Sequence, residues 1–359
     1  MTQTIKLGIA GGSHGRRHVM AFNKIEGVEL TAFADPSEQS RERMASTFGF
    51  KKTYESCTEM VESGEIDAVV IATPTAMRAR HVSEALNAEL HTLSEMPPAT
   101  NASEMSQFAT TASLVGKTYM FANLNRFSPQ VEEARKLVSS GELGDVFNAD
   151  GRWQYAWWPY DNENWRTQAD QGGGVLLDMA AQIIDSLWYV MGCPDPAEAM
   201  ASSYSFFMNK ESSLQDSIAE DTISGMLRFR NGASLNIASM FFSHAEGKRS
   251  AWNSPEVREM RINGSLSSLD LERGTQITVG GQKEITNKSY TSKLSDADTF
   301  LAQAQEFISA IREEREPRSS AKQAINLMKM LDALKNSAKD KQSVSIKTER
   351  SLDDLFNAM

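Results

Sequence analysis

The apolar run IKLGIA at residues 5–10 gives way at once to the glycine-rich GGSHG and then to RRHVMAFNKI. A short apolar strand that turns through glycines into a helix is the opening unit of a doubly wound α/β sheet. The following hundred residues keep that rhythm. VELTAFAD, DAVVIAT, LHTLSE and KTYMFA read as strands, while SEQSRERMASTFG (closed by Gly49), AMRARHVSEALNA and ASEMSQFATTASLVG read as helices between them. Strands separated by helices pair in parallel through right-handed crossovers, so the first third is expected to be a Rossmann-type parallel sheet.

The glycine turn can be placed in two ways. Ala10-x-Gly12-x-x-Gly15 is one; the other takes Gly11 as the first glycine and is one residue shorter. Alternation of Ile5, Leu7 and Ile9 toward one side of the strand favours the second. In either placement Gly11, Gly12, Ser13, His14 and Gly15 form the candidate phosphate cradle, because small residues let backbone N–H groups approach a pyrophosphate at a helix N-terminus. Glycines are common at any strand-to-helix turn, so the cradle alone is weak evidence. Asp35 strengthens it. It ends the second strand about 20 residues further on, where a carboxylate can bond a ribose 2′-OH and repel a 2′-phosphate. NAD is therefore expected, with NADP disfavoured. The plainer reading of Ala34-Asp35-Pro36 is a turn with Asp35 as a helix cap. Arg16 and Arg17 are either phosphate neighbours or solvated charges on a helix.

After Ala122 the pattern changes, and 359 residues are too many for one ordinary core. The expected division is residues 1–122, the dinucleotide-binding domain, and residues 123–359, an α/β domain with an open, mostly antiparallel sheet. SPQVEEARKLVSSGELG is helical. VFNADGRWQYAWW alternates, with Phe147, Ala149, Trp153, Tyr155 and Trp157 on one face. AEDTISGMLRFRNGASLNIASMFF reads as two strands about an Asn231-Gly232 turn, and VREMRINGSLSSLDLERGTQITVGG as further short strands. Helices are expected near 298–315 and 321–338, with apolar stripes that belong in a core. Gly172-Gly173-Gly174 precedes a helix on which Asp178, Gln182 and Asp185 share a face. Such a face either lines a cleft or is tied to neighbouring backbone.

The net charge of −10 argues against nucleic acid and anionic membranes as partners. No apolar run approaches a membrane span, and the N-terminus has no signal-peptide pattern, so a cytoplasmic protein is expected. Cys57 and Cys193 are the only cysteines; they have no metal-ligand spacing and imply no disulfide framework.

Taken together, GRRH, AFADP, IATPT, EALNAELHTLSEMPP, NRFSP, SGELGDV, NWR, GGGVLLDMAAQIIDSLWYVMG and AIREEREP fall in the order seen in the Gfo/Idh/MocA oxidoreductases, which the chain resembles over nearly its whole length. The resemblance implies a substrate, usually a sugar or cyclitol, bound between the two domains beside the nicotinamide. It also implies a homodimer or homotetramer formed through an exposed sheet face. Thr73, Pro74, Glu95 and Met96 then belong to the cofactor site, and Arg126, Trp157, Trp165, Arg166 and Gln182 to the substrate site. Three departures stand out. The family's Glu-Lys-Pro is Glu95-Met96-Pro97, its Asp-x-x-x-His helix pair is Asp178 and Gln182, and a further family histidine is Arg78. In a typical member the helix histidine takes the hydroxyl proton and the lysine polarises the oxygen. Glutamine and methionine can do neither.

Asp178, Tyr155, Tyr160 and His244 are the remaining candidates for acid–base work; a lone loop histidine such as His244 is more often simply solvated. Three functions fit this pattern. One is an oxidoreductase with relocated acid–base groups. Another is an NAD-dependent glycosidase or lyase that oxidises its sugar transiently, for which relatives without the lysine can use tyrosine as base. The third is a sensor that binds NAD and a ligand without turnover, as in a relative that acts as a transcriptional repressor. The aromatic strand is expected to stack on sugar C–H faces, with a dimer interface on that face as the rival reading.

Overall fold

In the computed structural model, residues 4–157, 164–206, 218–243, 248–249, 254–279, 285–290 and 296–347 are described. The first strands are β1 (Ile5–Ala10), β2 (Val28–Ala34), β3 (Lys52–Tyr54), β4 (Ala68–Ile71), β5 (His91–Glu95) and β6 (Tyr119–Ala122). They form one parallel sheet in the order β3-β2-β1-β4-β5-β6. Ile9 lies between Phe33 of β2 and Val70 of β4 in register. Leu7, Ile9, Val69, Val70 and Leu93 are fully buried, as expected of strands covered on both faces. The covering helices are α1 (Gly12–Phe22), α2 (Glu38–Phe48), α3 (Cys57–Glu62), α4 (Thr75–Asn87) and α5 (Ala102–Leu114). Ser37 caps α2 and Asn101 caps α5, each accepting a backbone N–H of its first turn. The strand order reverses between β1 and β4, and in such sheets ligands bind at that switch point, outside the C-terminal strand ends.

Two elements of this half escape a pattern reading. Strand β3 is three residues long, polar and at the sheet edge, so it has neither the length nor the apolar alternation that marks a strand. Helix α3 spans under two turns.

The second half opens with α6 (Pro129–Ser139) and β7 (Val146–Tyr155), then α7 (Ala181–Val190). Its other strands are β8 (Pro196–Tyr204), β9 (Thr222–Phe229), β10 (Ser234–Met240), β11 (Lys248–Arg249), β12 (Pro255–Gly264), β13 (Ser268–Asp270), β14 (Thr275–Val279), β15 (Ile285–Ser289) and β16 (Val344–Ser345). They make one sheet in the order β15-β14-β13-β12-β7-β10-β9-β8-β16, with β11 paired to β12. All pairs are antiparallel except β7 with β10. The β9–β10 hairpin turns at Gly232, whose φ of 89° suits glycine.

Along β7 the odd positions from Ala149 onward face α7, whereas Phe147 near its start is 55% exposed. Ala149 is buried, and Gly151 sits so close to the helix that a Cβ there would lie 2.3 Å from Ile183 Cγ2. Trp153 and Tyr155 continue this covered face. The even positions face the other way. Asp150 there accepts from Asn236 and Asn263, and Met200 is left exposed on the same open side. The aromatic residues of β7 therefore do not lie on the open sheet face. An interface on that open face involves different side chains from those expected.

Helices α8 (Asp296–Arg312) and α9 (Ala321–Asp340) tie the halves together. Phe307 of α8 meets Phe22 of α1 edge-on with ring centroids 6.3 Å apart, while α9 packs on both α5 and β8. No helix among the described residues is long and apolar enough to cross a membrane.

Candidate active site

Three glycines build the turn between β1 and α1, each for its own reason. Gly11 has φ 94°, and a Cβ there would stand 2.6 Å from the Ala72 carbonyl oxygen. At Gly12 a Cβ would meet Ser40 Oγ at 2.3 Å and Asp35 Oδ2 at 2.9 Å; at Gly15, Ile9 Cγ2 at 3.1 Å. This is the shorter of the two placements, with Gly11 at the turn and the helix starting at Gly12. The N-cap residue, Gly11, has no side chain to cap α1, so apart from Gly12 N, which Asp35 engages, its first-turn N–H groups remain available to an anion. Asp35 Oδ2 accepts from Gly12 N at 2.6 Å and Oδ1 from Ser37 N at 2.9 Å. Each oxygen keeps a further acceptor direction for a ribose hydroxyl. Cradle, uncapped helix and carboxylate together fit a dinucleotide.

The cleft floor comes from the ends of β4 and β5. Glu95 Oε1 lies 2.6 Å from Nε2 of the buried His18, which meets Phe300 edge-on at 5.1 Å. Burial would raise the Glu95 carboxyl, but the His18 hydrogen bond and the nearby His14 and Arg78 bring it down to about 2. His14 is favoured as imidazolium by Glu95. Desolvation and the charges of His18, Arg166 and Arg17 outweigh that, and its pKa falls below the ordinary histidine value. Met96 is half-buried and packs on the hydrophobic core. Thr73 bonds His81 through its hydroxyl at 3.0 Å, and Pro74 opens α4.

Arg78 lies behind this floor, 3% exposed. It donates to the Pro97 carbonyl and, at 2.9 Å, to the Thr73 carbonyl; its Nε has no partner. Burial lowers its pKa to about 10, so it remains a cation at neutral pH.

The opposite wall is set by the glycine triplet. A Cβ on Gly173 would stand 2.4 Å from the Arg166 carbonyl, and Gly174 has φ 105°, so the chain can fold back over Trp165 and Arg166. Gly172 packs on Thr75 and Thr100 of the parallel-sheet half. The half-buried carboxylate of Glu220 accepts from Leu176 N at 3.0 Å and holds the start of a π-helical turn, Leu176–Ala180, that precedes α7. Such turns are frequent at functional sites. This one carries Asp178, whose Oδ1 is 3.5 Å from Arg166 Nε. Burial raises the Asp178 pKa, against the opposing pull of Arg166, His14 and Arg78. Arg166 in turn stacks over Trp165 at 4.3 Å. Asp178 and Gln182 are half-buried, and Gln182 Nε2 donates back to the Asp178 carbonyl at 2.8 Å.

Several expected site residues are placed otherwise. Arg126 does not reach the cleft: it is fully buried, forked onto Asp185 through Nε at 2.7 Å and Nη2 at 2.5 Å, and lies over the rings of Phe121 and Tyr189. Asp185 is thereby withdrawn from the polar helix face, where it also accepts from Asn123. Tyr155 is poorly suited to act as a base, because burial first and then the Glu256 carboxylate that its hydroxyl bonds push its pKa upward. Glu256 also accepts from Trp153 Nε1 at 3.3 Å. Trp157 remains 43% exposed and available for stacking. Tyr160 and His244 lie outside the described residues. Glu256 and Glu220 escape a reading of the sequence, since each is recognised only through a partner far away in the chain. No group of three His, Cys, Asp or Glu side chains among the described residues could hold a metal.

Residues 5–123 match the NAD-binding Rossmann fold of the Gfo/Idh/MocA oxidoreductase family, and residues 135–346 match its C-terminal alpha/beta domain. D-xylose 1-dehydrogenase (NADP(+)) 2 of Haloferax volcanii is 24% identical over 344 residues, covering 95% of this chain and 98% of that protein. The rhizopine catabolism protein MocA of Rhizobium meliloti is 32% identical over 189 residues, 52% of this chain and 57% of its own length. Among solved structures, levoglucosan dehydrogenase in complex with NADH superimposes with a TM-score of 0.85 at 21% identity, over 97% of this chain and all of that one.

Proposed function

The chain belongs to the Gfo/Idh/MocA oxidoreductase family, and from that premise we propose that it moves hydride between NAD and a hydroxyl-bearing carbon of a sugar or related polyol, with Asp178 as its acid–base group. The observation that carries this reading is the pair that Asp178 of the π-helical turn forms with Arg166, both within electrostatic reach of His14, which in turn faces Glu95. Relatives named for xylose and levoglucosan support the substrate class. The division into domains at residue 122 belongs to the same reading.

NAD supplies the hydride acceptor when bound. The chain's residues do the rest. Gly11, Gly12 and Gly15 admit the pyrophosphate to the α1 N-terminus, and Asp35 holds a ribose and repels a 2′-phosphate. Asp178 takes the substrate hydroxyl proton; burial raises its pKa toward ambient pH, where a general base works best. Arg166 supplies positive charge beside the oxygen, a role that Met96 cannot fill. Trp157 and Trp165 offer flat apolar surfaces for the sugar, and Gln182 hydrogen bonds to a hydroxyl through its free carbonyl oxygen. The tyrosine-base route of a transient-oxidation lyase is less favoured, because Tyr155 is buried and engaged with Glu256. Two copies pair through the open sheet face, where Met200 and Tyr204 are more than half exposed.

The test is absorbance at 340 nm with NAD over a panel of sugars and cyclitols. Net reduction supports dehydrogenation; product without net reduction, or binding without turnover, contradicts it.

A further inference from the structure

We infer that Arg78 sets the balance between oxidised and reduced cofactor, acting as a buried positive charge behind the nicotinamide end of the cleft. The inference rests on the reading that NAD binds there.

Among the described residues, Arg78 differs from the other buried arginine, Arg126. Its guanidinium is 3% exposed, yet its polar contacts are two backbone carbonyls, and among the described residues no carboxylate comes within ion-pair distance. Arg126 shows the contrast, since its fork is matched by Asp185. A buried cation without a matched anion projects its field into its surroundings instead of spending it on a partner. The two carbonyls belong to Thr73, after β4, and Pro97, after β5. The first of these loops borders the switch point between β1 and β4 where the ligand of such a sheet lies, and the second is its neighbour one strand further along. Glu95 and Asp178 on the two walls both feel the Arg78 charge.

The oxidised nicotinamide ring carries a positive charge. Accepting hydride, two electrons and one proton, makes it neutral. A fixed cation nearby therefore penalises the oxidised form and leaves the reduced form almost untouched. Two unit charges about 10 Å apart at an effective dielectric of about 20 shift an equilibrium roughly ten-fold or more. Arg78 thus restores, from beneath the loop, positive charge at a place where Met96 contributes only apolar contact. It does so as a positioning residue, with no contact to substrate.

The test is calorimetric titration of NAD+, NADH and ADP-ribose into the wild-type chain and into Arg78→Gln, Arg78→Met and Arg78→Lys. In both neutral variants the ratio of Kd for NAD+ to Kd for NADH should fall roughly ten-fold. ADP-ribose, which lacks the ring, should bind within about two-fold of wild type, and Arg78→Lys should retain the wild-type ratio. Arg78→Met provides the second neutral case if Arg78→Gln does not fold. An unchanged ratio in a folded neutral variant overturns the inference and leaves Arg78 a loop strut. So does an equal shift in Arg78→Lys. Failure of the wild type to bind any of the three nucleotides would instead refute the functional reading on which the inference stands.

Discussion

Replacing Arg126 separates a structural arginine from a substrate ligand. The side chain is 0% exposed, with two bonds to Asp185, a 2.8 Å bond to the Arg318 carbonyl and a contact with Gln323. Arg126→Met removes the cation and leaves the Asp185 carboxylate buried without its partner. Breaking a buried pair in this way costs about 3–5 kcal/mol, far more than the pair contributes relative to an apolar replacement of both members. At about 2 °C per kcal/mol for a chain of this size, Tm should fall by roughly 6–10 °C. Arg126→Met/Asp185→Leu removes both charges and should recover part of the loss, so the two effects are not additive. Thermal and urea unfolding of the wild type, Arg126→Met, Asp185→Leu and the double variant measures the cycle, and KM for the true substrate is measured alongside. An Arg126→Met protein with unchanged Tm and a KM raised more than about ten-fold would refute the structural assignment and restore Arg126 to the cleft.

Asp178→Asn should lower kcat for oxidation by about 10²–10⁴, the usual worth of a general base, with far less effect on NAD affinity measured by calorimetry. Asp35→Ala should weaken NAD binding about ten-fold and narrow the preference over NADP, by loss of charged hydrogen bonds; unchanged affinities for both would exclude the ribose role. Tyr155→Phe should leave kcat within about ten-fold of wild type, since its hydroxyl serves Glu256; a larger loss in steady-state assays would reinstate the tyrosine base. Glu95 has a folded pKa near 2 against an ordinary 4.5, so its stabilisation is complete above pH 4.5 and is lost as pH falls toward 2. That shift is on the order of 3 kcal/mol, and the Tm gap between wild type and Glu95→Gln should close over this window.

Much of the parallel half is legible in the sequence because buried parallel strands are continuous apolar runs and glycine turns are local. The place of Asp35 beside the glycine turn could be read for the same reason: it depends on distance along one βαβ unit. The second half is less legible. Alternation in β7 puts Trp153 and Tyr155 on one face, but only the packing of α7 against Gly151 decides which face is covered. Arg126 and Asp185 are 59 residues apart, and an arginine in a loop reads the same whether it meets a ligand or a buried carboxylate. Glu256 comes opposite Tyr155 only through the β7–β12 register. The π-helical turn at Asp178 has no sequence signature of its own; it follows from the glycine triplet folding back and from Glu220 holding its first N–H. The loss of the family's lysine and histidine is visible at Met96 and Gln182. What we propose compensates for it, Arg166 beside Asp178 and Arg78 beneath the loop, is a matter of three-dimensional proximity.

The central claim is that Asp178 serves as the base for hydride transfer to NAD. The most direct measurement is the pH dependence of kcat/KM for sugar oxidation, followed at 340 nm, in wild type and Asp178→Asn. Burial raises the Asp178 pKa above the ordinary carboxylate value, and oxidation needs the carboxylate. Activity in the wild type should therefore rise with pH through that elevated pKa, and Asp178→Asn should show a low rate without that limb. An acidic limb that survives unchanged in Asp178→Asn would contradict the account.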